Sequence, residues 1–383
     1  MINHFYKTYG ENSSPVRSFF APGRVNLIGD HTDYTGGKVF PCAIDSGTTL
    51  LLRPSTDGQL HLASTNFSER LSLPITHRDK LPDSHWGNYP LGVISLLAEE
   101  GFEIPGLELL YSGNIPNGAG LSSSASILVA TAFALSKILT TPHTLIELAH
   151  LAQQAEWKFA GTQCGILDQF AVAMGKAAHA IELDCHSLNY RYVPLNLDEL
   201  SLVVTNTNQR RAVSESAYNE RVKECETALT LLQHSSNVTC LGEVSPELLK
   251  HHVTAFDDDP IALKRVRHIA SENQRVTEAV AALENNDVQR FGELMNQSHT
   301  SLQQDFDVSS NELNALVQSA QSLNYVLGSR MTGAGFGGCT ISLVARNRVE
   351  EFKTTVAASY REATNLEATF YIVQASNGVR EVT

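Results

Sequence analysis

Gly113-Asn-Ile-Pro-Asn-Gly-Ala-Gly-Leu-Ser-Ser-Ser-Ala-Ser126 decides how this chain is read. Gly118 and Gly120 allow a tight turn and a close approach of the backbone to a ligand. Ser122, Ser123 and Ser124 stand where apolar residues begin to recur at helical spacing, a pattern that runs to Leu139. A helix starting there offers free N–H groups and about half a positive charge at its N-terminus, which is an anion site. A serine hydroxyl at such a terminus can also ligate Mg²⁺. No Lys-Ser or Lys-Thr pair follows the glycines, so this is not a Walker A loop. Taken alone, the run reads equally well as a serine-capped helix after a loose turn.

Outward from it, Leu107–Tyr111 reads as a strand, and residues 16–75 alternate short apolar runs with Gly, Pro and Asp breaks. A second helix is expected after Leu139, with Thr141 and Pro142 as N-cap and first residue, stopping at Gly161. Strands are expected at Ala178–Leu183 and Leu202–Asn206, and Tyr218–Leu327 reads as mainly helical. Within that region Ser309-x-x-Glu312 is a capping-box pattern. Strands return at Thr340–Ala345 and Ala368–Gln374. This mixture lacks a strict βαβ rhythm and predicts an α+β fold. A chain of 383 residues usually forms two domains, drawn here as 1–205 and 206–383.

The formal charge is −13, from 28 Lys plus Arg against 41 Asp plus Glu. Such a surface repels phosphate backbones and anionic lipid, which excludes nucleic acid and membrane as main partners. An anionic ligand would need a local positive field. The first residues show no signal-peptide pattern, and Ala125–Leu139 is too short and polar to span a bilayer. The six scattered cysteines read as reduced thiols. The expected location is cytoplasmic.

Two more segments carry chemistry. Ala21-Pro-Gly-Arg-Val-Asn-Leu-Ile-Gly-Asp-His-Thr-Asp-Tyr34 packs Arg24, Asp30, His31 and Asp33 into ten residues. Carboxylates two or three residues apart on a turn can converge on adjacent sugar hydroxyls, and Arg24 can stabilise an anionic transition state or a catalytic carboxylate. A solvated Arg–Asp loop is the plainer alternative. Met331-Thr-Gly-Ala-Gly-Phe-Gly-Gly-Cys339 contains a literal G-x-G-x-x-G, but a dinucleotide fingerprint follows a strand and opens a helix. Here a helix is expected before the glycines and a strand after them, so a loop closing on a ligand phosphate is favoured over a plain hairpin connection. Glu156 and Asp168, twelve residues apart across Gly161, are each unremarkable alone.

Together the three segments resemble those of the galactokinases, within the family of small-molecule kinases that also includes homoserine, mevalonate and phosphomevalonate kinases. The resemblance runs from about Phe19 to Val373. It implies two α+β lobes with the active site in the cleft between them, and transfer of phosphate from ATP to the anomeric hydroxyl of D-galactose, the first step of galactose breakdown. By resemblance Asp168, in Cys164-Gly-Ile-Leu-Asp-Gln-Phe170, is the catalytic base and Arg24 supports it. Gly118, Ala119, Gly120, Leu121, Ser122, Ser123 and Ser124 would cradle the ATP phosphates, and Ser124 and Glu156 would hold Mg²⁺. Asp30, His31, Thr32, Asp33, Gly165 and Tyr218 would contact the sugar.

Galactokinases usually carry Glu where this chain has Asp30. The carboxylate is one methylene shorter, so its contact with the C6 hydroxyl is expected to break or to pass through a water. Kinases for related sugars (N-acetylgalactosamine, galacturonate, arabinose) remain open, as does a non-catalytic galactose sensor, although the serine loop and Asp168 are intact. A dehydrogenase reading rests on Gly333–Gly338 alone.

Overall fold

The structure is a computed structural model that describes residues 1–83, 85–116, 120–209 and 214–382. The chain opens with helix α1 (Ile2–Tyr9) and strands β1 (Arg17–Ile28), β2 (Lys38–Pro54), β3 (Gln59–Ser64) and β4 (Leu71–Pro74). Helix α2 (Asn88–Glu99), strand β5 (Leu107–Gly113) and helices α3 (Ser123–Leu139), α4 (Leu145–Ala155) and α5 (Leu167–Met174) follow. Next come β6 (His179–Asp184), β7 (Tyr190–Pro194) and β8 (Leu200–Asn206), then α6 (Ser214–Gln233), α7 (Pro246–His251), α8 (Pro260–Glu284), α9 (Val288–Gln304) and α10 (Asn311–Gln321). Strands β9 (Val326–Thr332) and β10 (Cys339–Ala345), helix α11 (Val349–Thr364) and strands β11 (Thr369–Val373) and β12 (Arg380–Val382) complete it. The mixture is α+β, as expected.

The strands form two sheets. The first runs β12-β1-β2-β5-β3-β4, with β6 and β7 added off β2, and the second runs β11-β8-β10-β9. All pairs are antiparallel except β3 with β5. One face of the first sheet packs against α2–α5 through Leu50, Leu52, Leu107 and Leu109. Its other face meets the second sheet and helices α8 and α9, where Val25, Leu27 and Phe40 share a core with Leu202, Val204, Ile341 and Val280. Alternation along β8 sends Val203 the other way, into the core formed with Phe352, Val356 and Tyr360 of α11. The second sheet therefore begins at Leu200, and the last strand, β12, lies back in the first.

Four local expectations are corrected. Helix α4 starts at Leu145, not Pro142, because Thr144 and Glu147 form the capping box. The cap of α10 is Ser310, whose side chain accepts from Leu313 N–H, while Ser309 donates to Asn314. Strand β9 intervenes between α10 and the glycines, so Gly333–Gly338 joins two antiparallel strands. Helix α11 was not expected, although Val349, Phe352, Val356 and Tyr360 recur at helical spacing and are buried.

Two register shifts in the β1–β2 ladder, at Pro22/Arg24 and Asn26/Ile28, re-aim the side chains between them. Opposite the first, Gly47 is required, since a Cβ there would lie 2.2 Å from Ala21 O. At the far end of the sheet, fully buried Arg53 donates Nε to Glu108 (2.5 Å) and Nη2 to Gly10 O (2.9 Å), fastening α1 to the sheet. Glu108→Ala strands that guanidinium and should cost about 3–5 kcal/mol, read as a fall in the denaturation midpoint. A loss under about 1 kcal/mol would show that the pair does not hold α1.

Candidate active site

The site is built on the bulged part of β1. A Cβ on Gly23 would sit 2.6 Å from Leu121 O, and the Arg24 N–H donates to that oxygen (3.3 Å), so β1 and the serine loop touch backbone to backbone. The Arg24 guanidinium donates Nε to Asp168 Oδ1 (2.8 Å), places Nη2 2.5 Å from the same oxygen, and donates Nη1 to Gly120 O (2.7 Å). Ser122 takes the left-handed conformation (φ 61°), and its hydroxyl donates to Asp168 Oδ2 (2.6 Å) instead of capping α3. Asp168 lies in the first turn of α5, where a negative charge is favoured.

Glu156 opens a single π-helical turn, Glu156–Ala160, at the end of α4, a distortion often found at functional sites. It is buried, and its neighbours are neutral: Gln169 Nε2 donates to Oε2 (2.6 Å), and the nearby Ser124 hydroxyl favours its ionised form. Burial, with Asp168 adding to it, pushes its carboxyl up to about 7.

The other wall comes from the first motif. Asp33 lies so close to Gly165 that a Cβ there would meet Asp33 Oδ2 at 2.1 Å, so only glycine fits. Gly165 and Tyr218 line the same cavity, and the loop before Asp168 is held by Trp157 Nε1 donating to Cys164 O (2.8 Å). Burial, and then the charge of Asp168, push Asp33 up to about 7. His31, also left-handed (φ 64°), takes the Tyr34 hydroxyl at Nδ1 (3.0 Å) and places Nε2 3.2 Å from Ala334 O, which sets the tautomer with hydrogen on Nε2. Burial lowers it to about 3, so it is neutral.

Arg24, Asp30, His31, Asp33, Gly120, Ser122, Ser123, Ser124, Glu156, Gly165, Asp168, Tyr218 and Gly333 all line one cavity of about 260 Å³. Two expected residues are placed otherwise. Thr32 is fully buried away from the cavity, its hydroxyl shared between Gly29 O (2.9 Å) and Lys38 O (2.7 Å), so it holds the turn instead of facing a ligand. The Leu121 side chain is in the core, and only its backbone faces Arg24. Gly118 and Ala119 lie outside the described residues. Asp30 reaches the cavity, but Oδ2 is 2.5 Å from Arg330 Nη2 and Oδ1 accepts from Gly333 N–H (2.9 Å).

Sequence reasoning missed Gln169, although it adjoins Asp168 in the recognised segment. It also missed a second cavity of about 120 Å³ that shares Tyr89, Ser123 and Ser124 with the first and is walled by Phe67, Trp86 and Tyr111. Phe67 and Trp86 stack with centroids 6.0 Å apart and planes within 3°, and Phe67 is about half exposed. Single aromatics nineteen positions apart give no periodic signal.

Comparison with known proteins agrees with this geometry. Residues 3–54 match the galactokinase galactose-binding signature, 88–176 the GHMP kinase N-terminal domain and 279–362 the GHMP kinase C-terminal domain. The chain is 44% identical to a galactokinase of Clostridium beijerinckii over 99% of its own length and 97% of the relative's. It is 45% identical to one of Fusobacterium nucleatum over the whole of both chains. This chain belongs to the galactokinase family. The solved structure of Lactococcus lactis galactokinase complexed with galactose superposes with a TM-score of 0.96 at 41% identity, covering 99% of this chain and 98% of that one. Methanococcus jannaschii mevalonate kinase, at 20% identity and a TM-score of 0.66, shares the fold. Among the described residues no helix is long and apolar enough to cross a membrane.

The raised Asp33 makes a testable statement about this galactokinase-family fold. Because folding favours its protonated form, its contribution to stability is present at low pH and is lost as pH rises through about 7. Asp33→Asn lacks that loss. The melting temperature of the ligand-free variant, minus that of the wild type, should therefore grow between pH 6 and pH 8. A gap that is flat or shrinks over this range would show that Asp33 titrates in the ordinary aspartate range.

Proposed function

We propose that this protein is an ATP-dependent galactokinase that phosphorylates D-galactose at the anomeric hydroxyl, giving galactose 1-phosphate, with Asp168 as the base. The observation that carries the assignment is the Asp168 carboxylate, held on one oxygen by Arg24 and on the other by Ser122, between the Asp33–Tyr218–Gly165 wall and the serine loop. The likeness to a galactokinase solved with galactose supports the choice of sugar.

In this reading the sugar rests against Asp33, His31, Tyr218 and Gly165, and Asp168 accepts the anomeric proton as the oxygen bonds to the γ-phosphorus and the bond to ADP breaks. Phosphoryl transfer depends on positioning and charge stabilisation more than on covalent help. Arg24 supplies both, since one guanidinium orients the base and touches the carbonyl of Gly120 in the phosphate loop. The N-terminus of α3, with Ser123 and Ser124, faces the phosphates. The loop calls on Gly118 and Ala119 as well.

A buried carboxylate with neutral partners and a hydroxyl beside it suits a hard divalent cation, and we assign Mg²⁺ to Glu156 and Ser124, with phosphate oxygens completing the shell. Bound there, Mg²⁺ would neutralise phosphate charge. The aromatic cavity beyond Ser123 suits the purine of ATP, with Phe67 and Trp86 as a stacking platform. We propose that the expected lobe boundary, 1–205 and 206–383, moves back to Leu200, so that all of β8 stays with the second sheet, and that β12 returns to the first lobe.

An ADP-release assay with galactose and ATP tests these roles through separate parameters. Asp168→Asn should lower turnover roughly 10²–10⁴-fold with sugar binding kept, the usual worth of a positioned base. Turnover within about threefold of wild type would remove Asp168 from that role. Phe67→Ala should raise the KM for ATP and leave that for galactose in place, and an unchanged ATP KM would put the purine elsewhere. Glu156→Ala should shift the Mg²⁺ titration to higher concentration, and an unmoved midpoint would place the metal on other residues.

A further inference from the structure

Strand β9 leads into the C-terminal glycine loop, and its Arg330 is a fully buried cation with no role in the chemistry above. Its Nη2 lies 2.5 Å from Asp30 Oδ2, and its Nη1 donates to Asn26 O on β1 (3.2 Å). The alignment at Asp30 is that of a charge contact more than of a hydrogen bond, so opposite charge is what holds the two together. The other oxygen of Asp30 accepts the N–H of Gly333 (2.9 Å), the first glycine of the loop. Gly333 in turn packs against the serine loop and the arginine that holds the base. A Cβ there would be 2.9 Å from Gly120 O and 3.8 Å from Arg24 Nη2. One residue on, Ala334 O meets His31.

Both oxygens of Asp30 are thus engaged on the glycine-loop side. A shorter acid beside a buried arginine is drawn back from the sugar and onto the loop. We propose that Arg330 is a positioning residue that, through Asp30, clamps the Gly333 loop against Arg24 and Gly120, and that Asp30 serves this clamp instead of reading the sugar's C6 hydroxyl. Without Arg330 the buried carboxylate would lose its nearest counter-charge and keep only the weaker pull of Arg24, while burial already raises its pKa. Once protonated it is a weaker acceptor for Gly333 N–H, and the wall behind Arg24 loosens. The arginine's field also reaches His268, His299 and Glu272, so removing it unbalances the charge behind the whole motif.

The inference rests on the galactokinase reading, and one arm of its test does not. Amide hydrogen exchange of residues 331–339 in the ligand-free protein should quicken at least about tenfold in Arg330→Met and in Asp30→Asn, measured where both are folded. Unchanged exchange overturns the clamp. In kinetics expressed per folded molecule, both variants should lose roughly 10- to 100-fold in kcat, the scale of a slightly misplaced catalytic group. Asp30→Asn/Arg330→Met should be no worse than the poorer single variant, and Arg330→Lys should recover part of the loss. The ratio of kcat/KM for galactose to that for 6-deoxygalactose should stay at the wild-type value in Asp30→Asn. A raised galactose KM at unchanged kcat, with that ratio collapsed, would make Asp30 a direct sugar reader and overturn the proposal. If the wild type does not phosphorylate galactose, the activity reading fails while the exchange arm still decides the clamp.

Discussion

The contact of Arg24 with Asp168 is the constraint on which the rest of the molecule converges. It joins β1 to the first turn of α5 across 144 residues of sequence, and the same guanidinium fixes Gly120 in the serine loop. Bringing these groups together requires the β-bulges that re-aim β1, the glycine at position 23 that lets Leu121 approach, and the left-handed Ser122 that turns its hydroxyl onto Asp168. Each costs local stability or conformational freedom. The dense cores on both faces of the first sheet hold the backbone in place against that cost.

Charge is handled locally. The surface is strongly acidic, yet around Asp168 the protein sets a guanidinium, a helix N-terminus and neutral donors. Asp33 and Glu156 are buried near Asp168 and resist ionising together with it. Clustered buried carboxylates of this kind carry a cost in stability and are commonly found at functional sites. Glu272 is the contrast. Equally buried, it is flanked by Arg275 and takes the N–H of Gly29, and its carboxyl is held down to about 2. It belongs to the framework, whereas Glu156, with no cation beside it among the described residues, keeps its raised carboxyl.

Much of this was legible in the residues because the chemistry is concentrated in short segments. Gly118–Ser126 announced a helix N-terminus, and Arg24–Asp33 announced a polar turn, by composition and spacing alone. Asp168 and Glu156 were not legible that way. A π-turn and a glycine-rich loop separate them, and only the family resemblance singled them out. Thr32 shows the opposite failure: it sits among cavity-lining residues, yet its hydroxyl serves the turn. Arg330 and the Phe67–Trp86 stack left no local signal, since the partners of Arg330 lie about three hundred positions away and the two aromatics sit in separate connecting loops. Helix α11 was periodic enough to see, and Thr144 outcompeted Thr141 as a cap through its pairing with Glu147.

The return of β12 to the first sheet has a consequence for how such a chain is made. Ser18 pairs with Val382, Arg17 bonds Glu381, and Asn26 is bonded by Thr332, so the outer edge of β1 stays open until residues 380–382 have been synthesised. Contacts of such long range are slow to form and leave strand edges exposed in the meantime. On the ribosome, the first two hundred residues can collapse around α2–α5, but β1 must wait for its partner. The waiting edge belongs to a strand of twelve residues but carries Arg17 and Pro22, a charge and a missing N–H that discourage wrong partners until the right one emerges.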